Sequence, residues 1–277
     1  HCPPEAAFTA ADELGMLMQP ELSHWDPVHA FASEEARTYY REELLQILRQ
    51  LSNHPSFVML SFGNELHADK DGHAFMEELL RLAREYDPTR LYANGSNTHY
   101  GQLGADPQSG FYTAMGHCGE ELRATCDGMT GWLNQEYPNA CHHYERTVAS
   151  IRGYSDQPVF SFEVGQYEVL PDFAEIDAYQ GVTSPENLKH IRRRAEEKGL
   201  TASWPRMVEA TGESSLLCYR AEVEAALRTS GYSGISLLGL QDFPGQGTAL
   251  VGMMNAHLQP KPYPFAAPER FAAFFRD

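Results

Sequence analysis

The 277-residue sequence predicts an α/β fold in which helices wrap a parallel sheet, and three observations carry that expectation. Short apolar runs alternate with longer amphipathic stretches, the trace left by strand and helix in turn. The clearest runs are bounded by chain-breaking residues, as Val159 to Val164 is by Pro158 and Gly165. A chain of this length with 42% hydrophobic residues buries roughly three quarters of its unfolded surface, enough for one large domain without help from metals or disulfides.

Taken in order, Glu5 to Leu14 has helical composition and stops at Gly15, a good residue for a left-handed helix end; Met16 to Glu21 (MLMQPE) then reads as a buried strand. Ser33 can cap a helix from Glu34 to Leu51, whose Leu44, Leu45, Ile47, Leu48 and Leu51 share one flank, and Phe57 to Phe62 is the next strand. Gly72 to Tyr86 is a helix ended by Asp87-Pro88, and Leu91 to Asn94 is a short strand opening a polar loop from Gly95 to about Asp127. Asp127 to Leu133 reads as a strand, His142 to Gly153 as a helix and Val159 to Val164 as a strand. An insertion over about 171 to 230 carries charged, solvent-facing helices at Pro185 to Lys198 and Ala221 to Arg228, before a last buried strand at Ile235 to Leu240. That makes about six strands, two short of a closed eight-stranded barrel, and the missing pair is expected before His1. The opening His1-Cys2-Pro3-Pro4, without Met, fits an N-terminally truncated piece.

Composition excludes several functions. A net charge of −17 and a pI near 5.1 oppose phosphate-backbone binding, so no nucleic-acid partner is expected. No apolar run reaches the roughly 18 to 20 residues that cross a bilayer, so no membrane partner is expected either. Cys2, Cys118, Cys126, Cys141 and Cys218 form no CxxC pair and are expected to be free thiols; twelve histidines show no ligand-like spacing, so neither a metal nor another cofactor is expected.

Two carboxylates stand where parallel strands end, the face at which barrel chemistry is placed. Glu65 closes the run His54-Pro55-Ser56-Phe57-Val58-Met59-Leu60-Ser61-Phe62-Gly63-Asn64-Glu65, and Glu163 lies within Phe160-Ser161-Phe162-Glu163-Val164-Gly165. An acid inside an apolar strand is costly unless paired or functional. Glycoside cleavage needs such a pair, one protonated acid for the leaving oxygen and one ionised carboxylate for the anomeric carbon.

These stretches resemble family 2 glycoside hydrolases. HPSFVMLSFGNE is similar to the motif ending the family's fourth barrel strand, which implies that Asn64 contacts a sugar 2-hydroxyl and Glu65 is the acid/base. PVFSFEVG is similar to the seventh-strand motif, which implies that Glu163 is the nucleophile. The opening HCPPEAAFTAADELGMLMQPE resembles the segment in which a His-x-Pro motif ends strand two and an acid ends strand three, making His1 and Glu21 substrate contacts. The fold implied is a (β/α)8 TIM barrel whose first two strands are absent, and the activity implied is retaining exo-hydrolysis of a terminal β-linked galactoside, glucuronide or mannoside. The partners implied are that carbohydrate and the β-sandwich domains that precede the family's barrel. A secreted or periplasmic bacterial setting is favoured over a cytoplasmic one. Where many members end the eighth strand in tryptophan, this sequence has Gln241-Asp242-Phe243, and Tyr137 or Tyr144 stands for the sixth-strand tyrosine.

Trp25 and Trp132 are candidates to stack on a pyranose face, and His24, His99 and Asp242 lie in loops expected to contact sugar hydroxyls. Few cationic residues fall in those loops, which disfavours a uronic acid. Two rivals remain open: an endo-acting glycanase of the same barrel superfamily, with an open cleft, and a truncated barrel that binds carbohydrate without cleaving it.

Overall fold

The computed structural model describes residues 2–96, 107–114, 142–243, 245 and 250–276. The chain divides into two compact units, one formed by His1–Ala114, Thr147–Phe162 and Gly231–Gly234, the other by Met115–Arg146, Glu163–Ser230 and Ile235–Asp277.

In the first unit, helix α1 (Glu5–Leu14) ends at Gly15, whose φ of 72° and N–H bond to the Ala11 carbonyl close the last turn. Asp12 of α1 accepts from the Ser56 N–H at 2.8 Å and bonds the His54 ring at 2.6 Å, tying the helix to the approach of the first strand. Helix α2 (Glu34–Leu51) begins where the Ser33 side chain accepts from the Ala36 N–H, and it buries Leu44, Ile47, Leu48 and Leu51 as its apolar spacing dictates. Strand β1 (Met59–Ser61) leads through the site-bearing loop to α3 (Lys70–Tyr86), capped by the Asp69 carboxylate on the Gly72 N–H. Strand β2 (Leu91–Ala93) pairs parallel with β1, Met59 opposite Leu91 and Ser61 opposite Ala93. Phe8, Leu22, Phe31, Phe57, Leu60, Phe62, Met76 and Leu79 fill the core between these strands and helices.

The segment expected as a buried strand at Met16 to Glu21 is reduced to isolated parallel bridges, Met18 to Phe57 and Glu21 to Ser61. Pro20 has no N–H to donate, and Met16 and Leu17 are 62% and 67% exposed. The expected loop after β2 contains strand β3 (Tyr112–Ala114), reached through a bond from the Gly110 N–H to the Tyr92 carbonyl. Its aromatic and β-branched Tyr112-Thr113 was the available signal. Helix α4 (Glu145–Arg152) follows, with Val148 and Ile151 buried, and strand β4 (Val159–Gly165) pairs parallel with β3. Strand β5 (Gly234–Leu238) follows β4 in the sheet order. It is less covered than its apolar composition suggests, with Leu237 37% exposed. The strand expected at Asp127 to Leu133 lies outside the described residues.

In the second unit, a 3-10 turn at Phe173–Ala178 precedes α5 (Glu186–Glu197) and α6 (Trp204–Arg228). The expectation that the second of these helices is solvent-facing is overturned: α6 is twenty-five residues long and buries Leu216, Cys218, Tyr219, Ala221, Glu222, Val223, Ala225 and Ala226. Small residues are what allow this, since a side chain at Gly212 would overlap the Phe265 ring. Beyond β5 the chain runs alongside itself, the Met254 N–H bonding the Leu240 carbonyl and the Asp242 N–H the Met254 carbonyl, before a short helix α7 (Pro268–Ala272). Among the described residues neither Cys2 nor Cys218 is joined in a disulfide; the other three cysteines lie outside the described residues. Among the described residues no helix is long and apolar enough to cross a membrane, and no group of three or more His, Cys, Asp or Glu side chains could hold a metal.

Candidate active site

Glu65 sits four residues past the end of β1 with a left-handed backbone, φ 51°, and Glu163 sits inside β4 with φ 55°. Among the described residues only Phe31, Gln166 and Leu258 share that region without being glycine. A glutamate gains nothing locally from it, so the surrounding structure holds both residues there. Each has a glycine two positions away at high positive φ: Gly63 at 137° and Gly165 at 130°. A side chain at Gly63 would collide with the His24 carbonyl, and one at Gly165 with the Leu238 carbonyl and the Tyr219 ring, so in both places a neighbouring backbone closes against the turn that aims the glutamate.

Glu65 is half-buried and accepts a hydrogen bond at Oε2 from the Trp25 indole N–H at 2.7 Å. Its own N–H reaches the Ser96 carbonyl at 3.3 Å. Asn64 forms parallel bridges with both Trp25 and Ser96, and its N–H donates to the His24 carbonyl at 2.9 Å. Behind this end of the sheet, Ser61 and Ser96 hydroxyls lie 2.8 Å apart, both donate to Glu21 Oε1, and Gln19 donates to Ser96 Oγ at 3.1 Å. Glu21 therefore meets neutral hydroxyls. Gln19, Ser61 and Ser96 were not singled out in the sequence; Ser61 is opposite Glu21 and Ala93 while Ser96 is opposite Asn64, so no single register position brings them together.

The sequence candidates fall into three groups. Glu21, His24, Trp25, Asn64 and Glu65 come together at the end of β1 in the first unit. The His24 imidazole packs against Phe31 and Tyr40, with ring centres 4.5 and 4.4 Å away, and burial holds its pKa below the ordinary value against the opposing Asp26 carboxylate. Its contribution to the turn is made through its backbone carbonyl.

Glu163 and Asp242 belong to the second unit. Asp242 is 3% exposed, paired with Lys261 at 2.9 Å, and accepts from the Gly252 N–H at 2.9 Å. Burial raises its pKa, while Lys261 and the Gly252 bond oppose the rise. Near it Glu175 is also buried, its pKa pushed up to about 7 by burial against the pull of Lys261. Tyr144, a candidate for the sixth-strand tyrosine, is buried, and its N–H donates to Thr229 Oγ1. His1, His99, Trp132 and Tyr137 lie outside the described residues.

A family model described as "Glycosyl hydrolases family 2, TIM barrel domain" matches residues 10–182. A putative β-glucuronidase of Formosa agariphila is 35% identical over 95 residues, covering 31% of this chain and 11% of that protein. A β-galactosidase of Thermoanaerobacterium thermosulfurigenes is 29% identical over 91 residues, covering 32% of this chain and 12% of that protein. Among solved structures, the β-D-glucuronidase of Dictyoglomus thermophilum superposes with a TM-score of 0.62 at 15% identity, over 100% of this chain and 43% of that one. The family 2 β-galacturonidase of Eisenbergiella tayi, bound to galacturonate, gives 0.60 at 13% identity, over 99% of this chain and 44% of that one. The chain thus spans less than half the length of these relatives. The solved structures share its fold, and the family model takes in more than half of its residues. The chain belongs to family 2 of the glycosyl hydrolases, and its strands and helices are those of that family's TIM barrel domain.

Proposed function

We propose that this barrel carries the reaction centre of a retaining exo-β-glycosidase, with Glu163 as nucleophile and Glu65 as acid/base. In the first step the Glu163 carboxylate attacks the anomeric carbon, the glycosidic C–O bond breaks, and the Glu65 proton passes to the leaving oxygen. In the second, the Glu65 carboxylate takes a proton from water, the water oxygen bonds to the anomeric carbon, and the ester to Glu163 breaks. Retention by this route calls for carboxyl groups about 5 to 5.5 Å apart.

The observation that carries the reading is the shared backbone state of the two glutamates. Glu65 follows parallel strand β1 and Glu163 lies near the end of parallel strand β4, and both are held left-handed two residues from a glycine that a neighbouring backbone crowds. The substrate is a terminal β-linked sugar, and Asn64 contacts its 2-hydroxyl. The relatives' names, β-glucuronidase and β-galactosidase, put glucuronides and galactosides first among the sugars to try, beside mannosides. Further domains of the same polypeptide, of the β-sandwich kind, complete the pocket.

The test is hydrolysis of a panel of nitrophenyl β-glycosides and β-glycuronides at about pH 5 to 7, near the working range of carboxyl acid/base pairs. Glu163→Gln abolishes turnover. Glu65→Ala loses about two to four orders of magnitude on substrates that need protonation, and azide restores activity on those with good leaving groups. Full activity in either variant overturns the assignment of that residue.

A further inference from the structure

Resting on the acid/base reading of Glu65, we infer that Trp25 is its positioning residue: the indole N–H holds Oε2 and so reserves Oε1 for the proton that is transferred. The carboxyl end of a glutamate side chain turns through a broad, nearly two-fold torsion, so without a partner its two oxygens exchange places freely. An indole N–H is a donor only. At 2.7 Å it engages Oε2 as acceptor, and the proton of the neutral carboxylic acid is then left to Oε1.

Burial does not keep Trp25 in place, because it is 63% exposed. The backbone does. The loop carrying Trp25 is laced to the loop carrying Glu65 by the Asn64 N–H on the His24 carbonyl (2.9 Å), the His67 N–H on the Asp26 carbonyl (2.9 Å) and the Ala30 N–H on the His67 carbonyl (3.1 Å). Asp26 stiffens the first loop further, its carboxylate accepting from the Val28 and His29 N–H groups at 2.9 and 2.7 Å. Donor and acceptor therefore share one frame, and the left-handed turn at Glu65 directs its side chain within it. The face of an exposed indole remains open to ligand while its edge is committed to the carboxyl group.

Two readouts test this. The first is the leaving-group dependence of Trp25→Phe, which keeps a ring and removes the donor. Across aryl glycosides from dinitrophenyl to phenyl, we expect kcat/KM to fall about tenfold, one hydrogen bond's worth, at the phenyl end, and to stay near wild type at the dinitrophenyl end. An equal loss across the series overturns the inference while leaving Glu65 as acid/base. A Glu65→Ala variant without leaving-group dependence instead removes the reading on which it rests. The second readout needs no turnover: the Trp25 indole N–H resonance, assigned by its disappearance in Trp25→Phe, shifts in Glu65→Gln if the bond exists. An unmoved resonance overturns the inference.

Discussion

The carboxylates at the end of β1 and the buried pair Asp242 and Glu175 of the second unit are held by opposite means. Among the described residues, Glu21 accepts from two serine hydroxyls and Glu65 from an indole N–H, neutral donors in both cases, and both glutamates keep part of their surface in solvent. Asp242 and Glu175 are buried, with a single ammonium, that of Lys261, pulling against the cost of burial for both. Neutral donors orient a carboxylate without placing a charge beside it. A buried one must be compensated permanently. The first arrangement suits proton transfer, the second suits holding a chain segment in place. Asp242 does the latter, accepting from the Gly252 N–H while Lys261 closes the turn that begins at Met254.

If that contrast is right, the largest effect on stability comes from removing the ammonium. Lys261→Met leaves Asp242 buried and unpaired, and the expected loss is about 3–5 kcal/mol, read from the denaturant midpoint. With Lys261 gone nothing strong opposes the rise in the Asp242 pKa. Its folded value then stands above the unfolded one, and stability falls as pH rises between the two. The loss is therefore greater at pH 8 than at pH 4. Adding Asp242→Asn removes most of it. A Lys261→Met variant as stable as the parent at pH 8 would show that water reaches Asp242 and would erase the contrast.

Glu175 gives the next effect. Its folded pKa near 7 lies above the ordinary 4.5, so the protonated group's contribution is whole below about 4.5 and is lost as pH climbs through 7. Glu175→Gln, neutral at every pH, is expected to match the parent near pH 4 and to exceed it by about 1–3 kcal/mol at pH 8. Parallel stability curves for the two proteins would mean that Lys261 already keeps Glu175 ionised.

Much of the first unit was legible because local rules agree with the fold. Ser33 before an i, i+3, i+4 apolar stripe gives α2, and Asp87-Pro88 stops α3. Glu65 and Glu163 were legible as acids in motifs at strand ends. Their left-handed backbones were not, because no side-chain preference favours that state at glutamate; what accompanies it is the close approach of the His24 carbonyl to Gly63 and of the Leu238 carbonyl to Gly165, which is tertiary. The bond from Trp25 to Glu65 was not legible, since it joins residues forty positions apart and leaves no trace in spacing. The full extent of α6 was hidden by Gly212 and Ser215, which look like interruptions and are in fact where Phe265 and the Tyr167 carbonyl pack close. Strand β3 is three residues long, too short for a period of two to emerge.

The smallest effect is the sharpest test of the neutral side of the comparison. Ser61 is fully buried at the end of β1, and its hydroxyl joins Ser96 and Glu21. Ser61→Ala deletes one donor but leaves Ser96 on the same Glu21 oxygen, with Gln19 still donating to Ser96. Because Ser61 itself is uncharged and Ser96 still donates to the same oxygen, the expected cost is about 1 kcal/mol and nearly independent of pH. A loss that grew steeply with pH would show that Glu21 depends on the hydroxyl to carry its charge, placing it with Asp242 among the carboxylates that burial governs.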